Sequence, residues 1–252
     1  MPSIQVIVTR PAPEAGTWVQ ALAARGIAAQ ALPLIEIAPA TDAASVRLAW
    51  AGLPRCSAAM FVSGNAVAHF FAARPAGQAW PQATRAWATG PGTARALREA
   101  GVPASQIDSP AADNRQFDSE ALWGVVAPQA VPGARMLIVH GGGGRDWLAQ
   151  HIRQTGAQVD SLAAYRRQPP QFSPAQQTLA RTAAQDGTLW LFSSAEAVTH
   201  LRAALPGMDW SRARALATHP RIAAAVQAAG FAEVRMARPA LDDVVASIES
   251  AA

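Results

Sequence analysis

The run Phe61-Val62-Ser63-Gly64-Asn65-Ala66-Val67-Ala68-His69-Phe70 returns 131 residues later as Phe192-Ser193-Ser194-Ala195-Glu196-Ala197-Val198-Thr199-His200-Leu201. Each copy is an apolar stretch, a hydroxyl-bearing turn, and then apolar residues at helical spacing, the pattern of a strand running into a helix. A second pair follows. Arg85-Ala86-Trp87-Ala88-Thr89-Gly90-Pro91 recurs as Arg214-Ala215-Leu216-Ala217-Thr218-His219-Pro220, 129 residues on. The same register carries Ala94, Ala96, Ala100 and Gly101 onto Ala223, Ala225, Ala229 and Gly230. More weakly, Gln20, Leu22 and Gly26 map onto Gln150, Ile152 and Gly156 at a spacing of 130. Three segments at nearly one offset predict two similar α/β lobes.

Outward from these copies the pattern continues. Apolar runs at 4–8, 58–62, 86–89, 136–139, 189–192 and 213–218 read as strands. Helical patterns follow them, over about 13–24 and from near Gly64, Pro91, Arg145, Ser194 and Pro220. Proline at a first helical turn is a start signal, because its missing N–H has no partner there anyway. Continuous apolar strands alternating with helices predict parallel sheets covered on both faces. Open α/β sheets bind ligands beyond the carboxyl ends of their strands, so two such lobes predict a ligand cleft between them. The strand-to-helix turns there are Thr9-Arg10, Ser63-Gly64-Asn65, Thr89-Gly90-Pro91, His140 to Arg145, Ser193-Ser194 and Thr218-His219.

Composition removes several chemistries. The 252 residues suffice for two domains, and no run of about 18 apolar residues marks a membrane span. Residues 1–10 lack the basic-then-apolar order of a signal peptide, so a cytoplasmic location is expected. Cys56 is the only cysteine, which rules out an intrachain disulfide and a cysteine-based zinc site. All 21 basic residues are arginine. Without lysine there is no Walker-type phosphate loop and no Schiff base with a carbonyl substrate or pyridoxal phosphate. The net charge is +4, and the arginines are dispersed rather than gathered into a basic tail. That balance suits a small anionic ligand better than nucleic acid.

Helix N-termini offer unpaired N–H groups and a partial positive charge, so they bind carboxylates without lysine. Serine or threonine at such a turn caps the helix or touches the ligand; capping is the default for any one of them, and their accumulation is the functional signal. His140-Gly141-Gly142-Gly143-Gly144 resembles an esterase oxyanion loop, but no Gly-x-Ser-x-Gly elbow exists. It does not meet the dinucleotide fingerprint either, since Asp146 stands where its last glycine would be. The histidines at 69, 140, 151, 200 and 219 show no paired metal spacing, and no metal site is expected. His69 and His200, equivalent in the two copies, read as packing or capping residues. Tyr165, the single tyrosine, follows a second short apolar run and precedes Pro169-Pro170.

These residues resemble a known family. Val8-Thr9-Arg10-Pro11, Gly26, Leu32-Pro33-Leu34-Ile35, Phe61-Val62-Ser63-Gly64-Asn65-Ala66-Val67 and Thr89-Gly90-Pro91-Gly92-Thr93-Ala94 are similar to segments of uroporphyrinogen-III synthases. So are Gly143-Gly144-Arg145-Asp146, Gly156-Ala157-x-Val159, Tyr165-Arg166, Phe192-Ser193-Ser194 and Ala229-Gly230-Phe231, in order along residues 4–248. Two departures stand out: His219-Pro220-Arg221-Ile222 lacks the glycine and threonine of the first turn, and His140 stands where arginine is frequent.

The resemblance implies two lobes, 1–36 plus 169–252 and 40–163, joined by antiparallel linker strands near 32–39 and 159–168. It implies that hydroxymethylbilane is cyclised, without cofactor, to uroporphyrinogen III with ring D inverted through a spiro-pyrrolenine. Tyr165 would assist departure of the hydroxyl. Thr9, Arg10, Ser63, Thr89, Gly90, Thr93, Arg145, Ser193, Ser194 and Thr218 would bind the polycarboxylate substrate. The expected protein is a cytoplasmic monomer touching hydroxymethylbilane synthase transiently, with neither nucleic acid nor membrane as partner. Two alternatives are a non-catalytic small-anion-binding module and a nucleotide-sugar-type transferase; the first would need a signal peptide, the second a metal-carboxylate pair or nucleotide loop.

Overall fold

The computed structural model describes residues 5–111, 114, 117–142 and 146–250. In chain order the first elements are β1 (Val6–Val8), α1 (Ala12–Ala23), β2 (Ala29–Ala31), β3 (Glu36–Pro39), α2 (Ala43–Gly52), β4 (Ala58–Phe61) and α3 (Gly64–Ala72). Then come β5 (Arg85–Ala88), α4 (Pro91–Glu99), β6 (Ile107–Asp108), α5 (Ser119–Val126), β7 (Arg135–His140), α6 (Trp147–Gln154), β8 (Gln158–Ala163) and β9 (Tyr165–Gln168). The chain ends with α7 (Pro174–Ala183), β10 (Leu189–Phe192), α8 (Ala195–Ala204), β11 (Arg214–Ala217), α9 (Pro220–Ala228), β12 (Glu233–Met236) and α10 (Leu241–Glu249).

Two compact units result, Met1–Glu36 with Gln168–Ala252 and Ile37–Arg167. The first unit holds a parallel sheet in the order β12-β11-β10-β1-β2, the second one in the order β6-β5-β4-β7-β8. These are the same sheet written twice. β10, β11 and β12 take the places of β4, β5 and β6, while β1 and β2, from the other end of the chain, take those of β7 and β8. The register agrees: Ala58 pairs with Arg85 and Met136, and its counterpart Leu189 pairs with Arg214 and Val6.

The sequence expectation of a linker strand over 159–168 differs from what forms. β8 belongs to the second unit's sheet, where it pairs with β7 from Arg135↔Gln158 to His140↔Ala163. Ala164 then turns the chain, its N–H donating to the His140 carbonyl at 2.8 Å, and only β9 pairs with β3 in a separate antiparallel two-stranded sheet. Residues 32–35 form no strand of that pair: the Leu32 and Leu34 amides bond back to the carbonyls of Val8 and Thr9.

Both faces of the second sheet are covered, as its uninterrupted apolar strands require. Ala59, Phe61, Ala86, Ala88, Leu137 and Val139 face one core with Trp50, Phe70 and Trp80; Ala58, Met60, Trp87, Met136 and Ile138 face another with Leu122, Leu148 and Ile152. That alternation is the period-two geometry of a strand. Trp50 stacks on Phe70 at 4.7 Å and donates its indole N–H to the Phe70 carbonyl at 2.8 Å, so its one polar atom is satisfied in the core. In the first unit Trp190, Phe192, Trp210 and Phe231 form the corresponding cluster.

The repeated Ala-Gly pairs end helices. Gly101 and Gly230 adopt φ of 95° and 94° just past α4 and α9, where a side chain would be strained. The Gly101 amide bonds to the Arg98 carbonyl and that of Val102 to Leu97; Gly230 to Gln227 and Phe231 to Val226 repeat the pattern, a Schellman cap in each unit.

Candidate active site

Because every strand in each sheet runs the same way, all strand-to-helix turns of a unit emerge at its carboxyl edge. In the second unit these follow β4, β5, β6 and β7. Ser63 caps α3, accepting the Ala66 N–H at 3.2 Å, and its Oγ lies 3.1 Å from the Tyr165 hydroxyl. A serine hydroxyl has two lone pairs and one proton, so it serves both partners at once.

Tyr165, the first residue of β9, is 2% exposed and belongs to the core cluster of its unit. That is deeper than a linker residue would be. Its ring stacks on His69, with centroids 5.5 Å apart and planes inclined by 23°. On another side lies Gly141: a Cβ there would fall 2.1 Å from the tyrosine Cζ. The phenol is thus gripped by Gly141 and His69, with its hydroxyl turned to the amino end of α3. Burial holds the His69 imidazole below its usual pKa.

The turn after β5 is built differently. Thr89 donates its hydroxyl to the Val62 carbonyl at 3.2 Å, tying this turn to the previous one. Gly90 caps α4 without a side chain, so the capping residue itself offers no acceptor to the first-turn amides of Gly92 and Thr93. Unpaired amides at a helix start are the kind of group that accepts anions. Thr93 itself is buried. Phe117 closes over the glycine: a Cβ on residue 90 would meet the Phe117 Cβ at 2.9 Å.

In the first unit Thr9 is buried, and both its amide and its hydroxyl donate to the Leu191 carbonyl, the latter at 2.7 Å. Its side chain is engaged within the sheet. Arg10 lies over Trp18, 4.5 Å from the ring centroid, and donates to Glu14 at 3.3 Å. Burial lowers its pKa, opposed by Glu14. Its Nε is buried without a hydrogen-bond partner. Ser194 caps α8 through the Glu196 amide at 3.2 Å, and Ser193 stands half-buried before it. The Thr218 amide bonds to the Phe192 carbonyl. Where the second unit has Gly90, this one has His219, whose Nδ1 accepts the Arg221 amide at 3.1 Å. The helix end left uncapped in one unit is therefore capped in the other. Arg145, expected at the turn after β7, lies outside the described residues.

A model of the family described as "Uroporphyrinogen-III synthase HemD" matches residues 16–246. The chain belongs to the uroporphyrinogen-III synthase family. The uroporphyrinogen-III synthase of Salmonella typhimurium is 28% identical over 249 residues, covering 96% of this chain and 98% of that protein. That of Escherichia coli K12 is 28% identical over 251 residues with the same coverage. Among solved structures, a mutant uroporphyrinogen III synthase of Thermus thermophilus superposes with a TM-score of 0.61 at 18% identity, covering 99% of this chain and 98% of that one. The uroporphyrinogen-III synthetase of Helicobacter pylori gives 0.63 at 13% identity, covering 99% and 100%. The two structural likenesses establish a shared fold.

Within this uroporphyrinogen-III synthase fold, the edge of the second unit makes contacts that the sequence did not foretell. His140 accepts the Gly142 amide at Nδ1 (3.0 Å), and its Nε2 lies 2.8 Å from Ser161 Oγ. Arg167 donates to the Gly142 carbonyl at 3.2 Å. His69, Gly141 and Phe117 are the contacts that shape the setting of Tyr165 and Gly90. The glycine run was visible as a loop, but the need for a bare Cα at 141 depends on a ring that arrives 24 residues later. The one available signal was that a lone tyrosine beside a strand end needs a hole to sit in.

Proposed function

We propose that this chain converts hydroxymethylbilane to uroporphyrinogen III and water, needing no cofactor. The family match over residues 16–246 carries the reading. Loss of the terminal hydroxyl leaves an azafulvene cation. The substituted carbon of ring D attacks it, giving a spiro-pyrrolenine that fragments and recloses with ring D reversed. Loss of a ring proton restores the pyrrole and balances the proton given to the departing hydroxyl. The substrate also closes unaided to the unrotated isomer, so the enzyme's contribution is orientation. The match leaves the anion-binding module and the transferase without support.

The polycarboxylate substrate suits uncapped helix amides such as those of α4, with hydroxyls and arginines beside them. Thr89, Gly90, Thr93, Ser193, Ser194, Thr218 and Arg145 are the proposed binders. Thr9, whose hydroxyl is spent on Leu191, contributes by holding β1 to β10, and Arg10 by its guanidinium alone. Tyr165 assists departure of the hydroxyl through the bond its phenol shares with Ser63. Ser63, only half-buried, is the member of that pair nearer to solvent. The enzyme works as a cytoplasmic monomer that receives its unstable substrate from hydroxymethylbilane synthase by transient contact.

Following hydroxymethylbilane consumption tests the reading. Catalytic amounts of protein should speed its loss with many turnovers per chain. Stoichiometric binding that merely protects it would instead indicate a non-catalytic anion-binding module.

A further inference from the structure

The turn at Gly141 and Gly142 is held from three sides. Gly142, at φ 71°, gives its amide to His140 Nδ1 and its carbonyl to Arg167 Nη2, while the His140 carbonyl accepts the Ala164 amide. An amide N–H can only donate, so Nδ1 must carry a lone pair; the ring proton is then on Nε2, which donates to Ser161 Oγ. The geometry is that of a neutral imidazole. Against this turn lies the ring of Tyr165, at the distance where a single added carbon on residue 141 would collide.

We propose that His140 is a positioning residue for Tyr165: its neutral ring pins the Gly141–Gly142 turn on which the phenol packs, and its protonation releases that turn. A proton on Nδ1 would leave two donors facing each other across 3.0 Å, and the turn must open or the ring must swing away. Either motion takes away the bond that fixes the turn, and so frees Gly141 to shift with the phenol whose hydroxyl meets Ser63 at 3.1 Å. Among the charged groups facing His140, Asp146 at the start of α6 favours protonation, whereas Arg167 on β9 opposes it; β8 presents the uncharged Ser161. Desolvation is the largest influence and lowers the pKa, favouring the neutral ring.

The inference rests on Tyr165 as the group that assists departure of the hydroxyl, but its physical core can be read without turnover. Tyr165 is the only tyrosine, so protein labelled with 13C-tyrosine gives one ring signal. In the wild type that signal should shift as pH falls below about 6.5, the ordinary imidazole value. His140→Asn keeps an acceptor for the Gly142 amide and cannot titrate, so its signal should retain only the smaller shift that the stacked His69 ring produces. His69 stacks on the same ring and stays in both proteins. A transition of the same size in H140N would assign it to His69 and overturn the proposal, as would a wild-type signal that never moves.

Kinetics give the second readout. At neutral pH, His140→Ala should lower kcat about tenfold with little change in KM, and H140N should recover most of it. Wild-type kcat should fall on the acid side with the midpoint of the tyrosine shift, and that limb should vanish in H140N. An acid limb unchanged in H140N would contradict the proposal. Full rate in Tyr165→Phe would sink the role of Tyr165 and leave the spectral coupling standing, so the two failures are distinguishable.

Discussion

The ring of Tyr165 fills the space a Cβ on residue 141 would need, with that carbon 2.1 Å from Cζ and 2.6 Å from the hydroxyl oxygen. Gly141→Ala therefore cannot be accommodated by a small adjustment; the phenol or the β7 turn must move. Overpacking of this kind costs about 1–3 kcal/mol. The expected result is a lower melting temperature together with a loss of kcat at least as large as that of Tyr165→Phe. Full kcat in the alanine variant would show that the position of the phenol is immaterial.

Tyr165→Phe removes the hydroxyl and keeps the ring between Gly141 and His69. Stability should change by only about 1 kcal/mol, the net worth of one hydrogen bond. The rate should fall by about 10²–10⁴, the range of a positioned proton donor. Ser63→Ala removes the same bond from the other side and also the α3 cap, adding a stability cost of about 1 kcal/mol. Thermal melts beside steady-state rates separate the two effects.

Gly90 and Phe117 make a coupled pair. Gly90→Ala brings a methyl to 2.9 Å from the Phe117 Cβ at the uncapped end of α4. The single variant should raise KM, because that helix end is a proposed carboxylate site. Phe117→Gly, which takes away that Cβ as well as the ring, should relieve the collision, so a double-mutant cycle should show a coupling of about 0.5–3 kcal/mol in stability. Strict additivity would mean that the two residues do not press on each other.

The histidines beside Tyr165 make stability depend on pH. Burial lowers the pKa of both His69 and His140 in the fold, with Asp146 and Arg167 pulling His140 in opposite directions. Between the folded and unfolded pKa values the unfolded chain binds more protons, so stability rises with pH there. These two groups leave stability undiminished above about 6.5 and reduce it progressively below that, until the folded rings also titrate. Urea midpoints should drop on the acid side, and the drop should shrink in a His69→Gln, His140→Asn double variant.

Much of the architecture was legible because duplicated local signals say the same thing twice. Phe61–Phe70 and its second copy announced equivalent strand-turn-helix units, and Gly101 and Gly230 marked helix ends through one backbone requirement. What escaped was non-local. Ala164 separates β8 from β9 by a single hydrogen bond to His140, which no periodicity announces. The bare Cα at 141, the closure of Phe117 on Gly90 and the stacking of His69 on Tyr165 all join residues at least 24 positions apart. The spending of the Thr9 hydroxyl on Leu191 likewise needed the pairing of β1 with β10. Hydroxyls at strand ends look alike in a sequence; burial and partners distinguish one that caps a helix from one that faces a ligand.

The most direct test is the isomer composition of the product. Purified protein, treated with a chelator and freed of small molecules, is added to hydroxymethylbilane generated in place, and the oxidised products are separated by chromatography. The account predicts predominantly the type III isomer. Type I alone, formed at the uncatalysed rate by folded protein, would contradict it.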